Sequence, residues 1–290
     1  MKKRIYTEVT AEFFGTFLLV FIGCGAVGVD VIAEAHIGLV QVAILFGLAI
    51  NLAIFLFGSI SGAHINPAIT IAMAVFRKDA FPARKIVPYI LSQFAGAFFG
   101  AAVLYALMNG TITHFEAANH IIRGSADSQL SAMMFGEYFP NPAIYGTTPG
   151  DFSQVSTLVA FFAEFLGTLI LALFIFAFTD RNFSSSTSDN ARYGLYKYLI
   201  GLVAAVCIIL LAPYTQAGFN PARDFGPRVF SYFAGWGPIA IPGPRGGFFI
   251  VYILSPIFGA LAGGSLYKLF SLFNSRTAVQ NTTTYVKEDY

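Results

Sequence analysis

Two stretches of this chain are written twice. Ala11–Val20 reads AEFFGTFLLV and Ala163–Ala172 reads AEFLGTLILA, an offset of 152 residues; Asn66–Ala68 and Asn220–Ala222 both read Asn-Pro-Ala, an offset of 154. Landmarks that agree to within two residues mark a tandem duplication. Each copy carries three apolar runs, and three is odd, so a second copy that crosses a bilayer enters it from the opposite face. The duplication therefore predicts two inverted repeats packed into one bundle, an arrangement that builds sites near the bilayer midplane.

The medium follows from the runs themselves. Crossing about 30 Å of hydrocarbon takes roughly 20 apolar residues, and six segments qualify: Glu8–Val29, Leu39–Gly58, Ala83–Met108, Val155–Thr179, Leu195–Pro213 and Gly247–Ser271. Only 11% of the 290 residues are charged and 56% are hydrophobic, against roughly 25% charged in soluble domains. The fold class expected is an all-α membrane protein of six transmembrane helices plus two re-entrant half-helices. Residues 1–290 are expected to form a single domain, with 1–130 the first repeat, 131–273 the second and 274–290 a cytoplasmic tail.

A cytoplasmic N-terminus leaves Arg123, Arg223, Arg228 and Arg245 outside and the other thirteen of the 17 Lys and Arg residues inside, as the positive-inside rule favours. Both termini then face the cytoplasm, and the membrane is a plasma membrane, in a bacterium the inner one. The first apolar run is too long for a signal-peptide core and is read as a retained span. A net charge of +2 without a basic stripe excludes nucleic acid as a partner. Cys24 and Cys207 read as small buried hydrophobes, and neither a metal set nor a cofactor is expected.

The Asn-Pro-Ala boxes are the unusual feature at that depth. Asparagine is a favoured N-cap, and proline at the first helical position forfeits no hydrogen bond. The run Pro67–Phe76 reaches only about 15 Å at 1.5 Å per residue, half the hydrocarbon. Two half-helices, Pro67–Phe76 and Pro221–Phe233, are therefore expected to start near mid-membrane with their positive dipole ends facing each other. The backbone before them, Ser61–Ile65 and Thr215–Phe219, is irregular, which a bilayer tolerates only where it is buried in protein or lines a wet cavity.

Glu12 and Glu164 occupy equivalent places inside the first and fourth spans, where an ionisable group is costly. Each carboxylate is expected to accept hydrogen bonds from the N–H groups of the re-entrant stretch in its own half. A proton relay is the alternative, and no further acidic groups continue such a path.

These residues resemble the major intrinsic protein family, the aquaporins and glycerol facilitators, over nearly the whole chain. The segments HIIRGS (120–125) and NPARDFGPRVFSYFAGWG (220–237) are similar to those of bacterial glycerol uptake facilitators. The resemblance implies that Asn66 and Asn220, held by Pro67, Ala68, Pro221 and Ala222, donate to the permeating molecule. The carbonyls of Gly62, Ala63, His64 and Ile65, and of Gln216, Ala217, Gly218 and Phe219, would form a ladder of acceptors.

It also implies a constriction of Phe46, Ile208, Ala217 and Arg223. Glycerol facilitators typically place two aromatics and a glycine beside the arginine, so this ring departs from theirs and looks more like that of certain archaeal channels. Asp224 and Arg228 match the glycerol-conducting pattern, as does Ile253, whereas Tyr252 matches the water-conducting one. In such pores an arginine and the half-helix ends exclude protons.

The function implied is passive conduction of glycerol, other small uncharged polyols and water, without ions or protons. The family assembles as homotetramers in the lipid bilayer, with one pore per subunit. A mainly water-selective aquaporin and a secondary transporter are the alternatives; the latter needs coupling groups beyond the two symmetric glutamates. No paired Ser and His lies in the spans, so an enzyme is not expected. A third Asn-Pro-Ala, Asn141–Ala143, sits among Gly, Pro and Thr and reads as a turn in the extracellular connection from Asn109 to Gln154. His36, His114 and His120 read as loop residues with no metal spacing, and residues 180–190 as a polar cytoplasmic connection.

Overall fold

The computed structural model describes residues 2–180 and 198–288, with side chains over 5–180 and 198–273. Among these residues there is no strand, and eight helices of ten residues or more carry the fold: α1 (Lys2–Val27), α2 (Leu39–Ser61), α3 (Pro67–Phe76), α4 (Ile86–Ala118), α5 (Thr157–Phe178), α6 (Leu199–Thr215), α7 (Pro221–Ser231) and α8 (Ser255–Glu288).

Among the described residues, five stretches are long and apolar enough to cross a bilayer: Ile5–Ile32, Leu39–Ser61, Ala83–Ala118, Thr157–Phe178 and Phe249–Phe273. Helix α6 has 17 residues, the short end of what a span requires. The expected beginning of that span, 195–197, lies outside the described residues, as does nearly all of the polar connection at 180–190.

Helices α1 and α4 pack together, as do α5 and α8; α1 packs on α2, and α5 on α6; α3 lies against α8, and α7 against α4. Exchanging the first four helices for the last four leaves this set of contacts unchanged, and α2 meets α6 where the two sets join. Missing side chains allow these approaches. A Cβ on Gly96 would run into the carbonyl of Phe13, and one on Gly259 into that of Phe165. Without a hydrophobic drive between helices in lipid, such close backbone packing supplies much of their association.

Large apolar side chains cover the outside: Phe55 is 68% exposed, Leu107 69% and Phe233 78%. In water such a surface would aggregate, whereas hydrocarbon costs it nothing.

Several elements differ from the sequence expectation. Helix α4 runs to Ala118, so the connection begins later than Asn109, and His114 is helical. Residues 131–142 within that connection are all buried, since they fold down over α7. The third Asn-Pro-Ala opens only one turn, Pro142–Tyr145, capped by Asn141. The Asn141 amide donates to the carbonyl of Ala212 at 3.1 Å and so pins the connection to α6. Helix α8 continues to Glu288, through most of the segment read as a tail.

Candidate functional site

Both half-helices start as their sequence dictates. Asn66 is extended (φ −155°, ψ 119°), Pro67 is the first helical residue, and the Asn66 side-chain oxygen accepts from the N–H of Ala68. Asn220 (φ −148°, ψ 105°) accepts from Ala222 and Arg223 in the same way. Each asparagine then reaches across to the other half. The Asn66 amide donates to the Phe219 carbonyl at 2.8 Å, and the Asn220 amide to the Ile65 carbonyl at 2.7 Å. An asparagine NH2 has two hydrogens, and one on each amide is spent on the opposite half.

The chain leading into each asparagine is held in an uncommon form. Gly62, Ala63 and Ile65 have φ of 93°, 47° and 44°, and Gln216, Ala217 and Phe219 have 61°, 62° and 53°. Left-handed backbone at a residue other than glycine costs about 1 kcal/mol or more, so something must hold it there.

The buried glutamates do so. Glu12 accepts from the N–H of His64 (2.9 Å) and Ile65 (2.7 Å), from the Ser61 hydroxyl (2.6 Å) and from the Gln93 amide (2.7 Å). Glu164 accepts from the N–H of Gly218 (2.9 Å) and Phe219 (2.6 Å). Two tyrosines do the same on the preceding turns: Tyr89 donates to the Ser61 carbonyl and Tyr252 to that of Thr215. With its N–H groups tied back to glutamate, each stretch is free to offer carbonyl oxygens to the other side.

A cavity of about 570 Å³ runs along these stretches, from Glu8, Lys85 and Tyr198 at one end to Arg223 at the other. Gly62, Ala63, His64, Ile65, Gly218, Phe219 and both asparagines line it. Side chains such as Ile50, Ile54, Ile69, Met73, Leu171 and Ile200 make up much of the remaining wall. Gln216 is the residue of the expected ladder that is not in this lining. Its side chain reaches the connection, accepting from the N–H of Tyr138 and donating to the Met133 carbonyl.

At the far end the cavity reaches Phe46, Ile208, Ala217 and Arg223 together. Phe46 gets there because Gly23 carries no side chain; a Cβ on Gly23 would overlap its ring. Arg223 is 3% exposed. Its Nη1 donates to the Phe135 carbonyl at 3.3 Å, and its guanidinium carbon lies 5.1 Å from the centre of the Phe46 ring. Its Nε is 3.0 Å from a carboxylate oxygen of Glu137.

The sequence reading missed Glu137. Nothing in the repeat or the boxes marks it, because it belongs to the connection and reaches Arg223 only through the fold. Asp224 and Arg228 explain its position. Buried and paired at 2.7 Å, they clamp the Glu137 main chain: its N–H donates to Asp224 (2.8 Å), and its carbonyl accepts from Arg228 Nη2.

A cavity lined by both re-entrant stretches, both half-helix caps and a run of aliphatic side chains, in a bundle of apolar helices, is the architecture of a membrane channel. The chain belongs to the major intrinsic protein family, whose model matches residues 1–267.

Among its relatives, a glycerol uptake facilitator of Haemophilus influenzae is 40% identical, covering 92% of this chain and 95% of its own. A propanediol uptake facilitator of Salmonella typhimurium is 39% identical over 93% and 96%. The X-ray structure of the aquaglyceroporin from Plasmodium falciparum superposes with a TM-score of 0.72 at 26% identity, over 91% of this chain and 95% of that one.

Proposed function

We propose that the chain is a passive channel for glycerol, other small uncharged polyols and water. The observation that carries this reading is the crossed pair of bonds by which Asn66 and Asn220 each hold the other half's backbone, at the wall of a cavity whose other residues are largely aliphatic. A polyol presents hydroxyls on one edge and C–H groups on the other. It can exchange its water contacts for one donor and one or two carbonyls at little net cost, while its carbon edge slides along the isoleucines.

Ions gain nothing comparable, because a few neutral groups on one side cannot replace a hydration shell. Arg223 and the two positive helix ends add a barrier to cations and protons. The names of the bacterial relatives, facilitators of glycerol and of propanediol uptake, support a small polyol as cargo.

In this reading Phe46, Ile208 and Ala217 are the apolar side of the selectivity filter, and Asp224 and Arg228 brace it. The exchange symmetry of the helix contacts supports two inverted repeats, 1–130 and 131–273. Homotetramers in a plasma membrane, the inner one in a bacterium, with both termini cytoplasmic, complete the reading.

Light scattering from proteoliposomes tests it. Expected is glycerol and propane-1,2-diol entry well above that of empty liposomes, together with water flux and no dependence on a proton gradient. Water flux alone would reject the polyol reading, and flux that collapses with the gradient would point to a coupled transporter.

A further inference from the structure

We infer that Glu137 is a positioning residue for permeation: its carboxylate holds the Arg223 guanidinium against the wall and so sets how firmly the constriction grips a passing hydroxyl. This rests on the channel reading above.

The main chain of Glu137 has no freedom to choose. Its N–H is spent on Asp224 and its carbonyl on Arg228, two residues that are themselves buried and paired. From that fixed point the side chain enters the space beside Gly218, where a Cβ would overlap its second oxygen.

The other half of the molecule gives the comparison. The position equivalent to Gly218, 154 residues earlier, is His64, whose ring lies 4.6 Å from Phe81 and 5.3 Å from Tyr89. Tyr89 in turn corresponds to Tyr252, since each donates to the carbonyl ahead of its own re-entrant stretch. One half fills this space with its own imidazole; the other leaves it empty and receives a carboxylate from the connection. Packing alone does not ask for a charge there. What distinguishes the second half is the arginine of the constriction, 3.0 Å away.

The contact is one of charge more than of hydrogen-bond geometry, because neither Glu137 oxygen nor Arg223 Nε has a well-aligned hydrogen bond. Removing one partner of a buried ion pair strands the other without compensation. A stranded guanidinium at the wall of a wet lumen recovers solvation by turning towards the lumen. It then narrows the ring and binds hydroxyls more firmly. Glycerol, which touches the ring on several sides at once, is slowed more than water.

Glu137→Gln in proteoliposomes is the direct test. Expected is a fall in glycerol permeability per folded channel of about fivefold or more, the scale of one altered charge-assisted hydrogen bond. Water should fall less, so that the glycerol-to-water ratio drops. Gly218→Ala, which pushes the carboxylate off Arg223 while keeping it in the chain, should lower the ratio in the same way, and it decides the matter if Glu137→Gln fails to fold.

In an Arg223→Ala background Glu137→Gln should change the ratio no further. A purely architectural residue would reduce the amount of folded protein and leave the ratio alone. A conducting parent whose ratio survives both single substitutions overturns the inference, as does an equal drop in the Arg223→Ala background. A parent without glycerol flux would instead overturn the channel reading beneath it.

Discussion

Gly47 of α2 and Gly201 of α6 cross so closely that a Cβ on either would overlap the carbonyl oxygen of the other. The Gly201 N–H also donates to the side chain of Asn51 at 3.1 Å. The two halves of the chain are therefore joined backbone to backbone at this crossing. Gly47→Ala and Gly201→Ala should each destabilise by about 1–3 kcal/mol, the usual range for overpacking. A lower Tm in detergent is the expected readout, with near-parental flux from the channels that remain folded.

Glu12 accepts from four donors. Glutamine at that position supplies one good acceptor and turns an NH2 towards groups that are themselves donors. Glu12→Gln should cost about 1–3 kcal/mol, the penalty of leaving buried donors unmet. The pH dependence of flux should be that of the parent, since the role is to hold backbone. A shifted pH profile would favour a proton relay.

Asn220 caps Ala222 and Arg223, donates to Ile65 and lines the cavity, where the proposed function gives its second N–H to the permeating molecule. Asn220→Ala removes all three. Loss of the cap should cost about 1 kcal/mol of stability. Glycerol flux per folded channel should fall about tenfold, as one lost hydrogen bond near 1.4 kcal/mol implies. Stopped-flow rates normalised to folded protein would measure it.

At the Arg223 end of the cavity, Ala217 and Ile208 are both buried and belong to its lining. Phenylalanine at 217 should close the space opposite Phe46, so that Ala217→Phe keeps water flux and loses most of its propane-1,2-diol flux. Ile208→Gly should act in reverse and admit four- and five-carbon polyols faster. Solute panels read by light scattering would show both, and unchanged selectivity in either variant would remove these residues from the filter.

Much of this architecture was legible in the sequence because its signals are local. An Asn-Pro pair caps a helix wherever it occurs, and six apolar runs indicate how often the chain crosses. Glu12 and Glu164 announce themselves by being charged among hydrocarbon. The connection was not legible. Residues 131–142 look like an extracellular loop rich in Gly, Pro and aromatics, and their burial depends on partners 72 to 105 residues away, among them Pro213, Gln216, Asp224 and Trp236. Glu137 has no periodicity and no motif, so only the fold brings it to Arg223.

The mutual bonds of Asn66 and Asn220 have a consequence for biosynthesis. Each amide is satisfied by a carbonyl more than 150 residues away, so a nascent chain that has delivered only its first three spans holds half of a gateway. The finished passage comes into being with the last helices, and a membrane receiving unfinished copies is not breached by them.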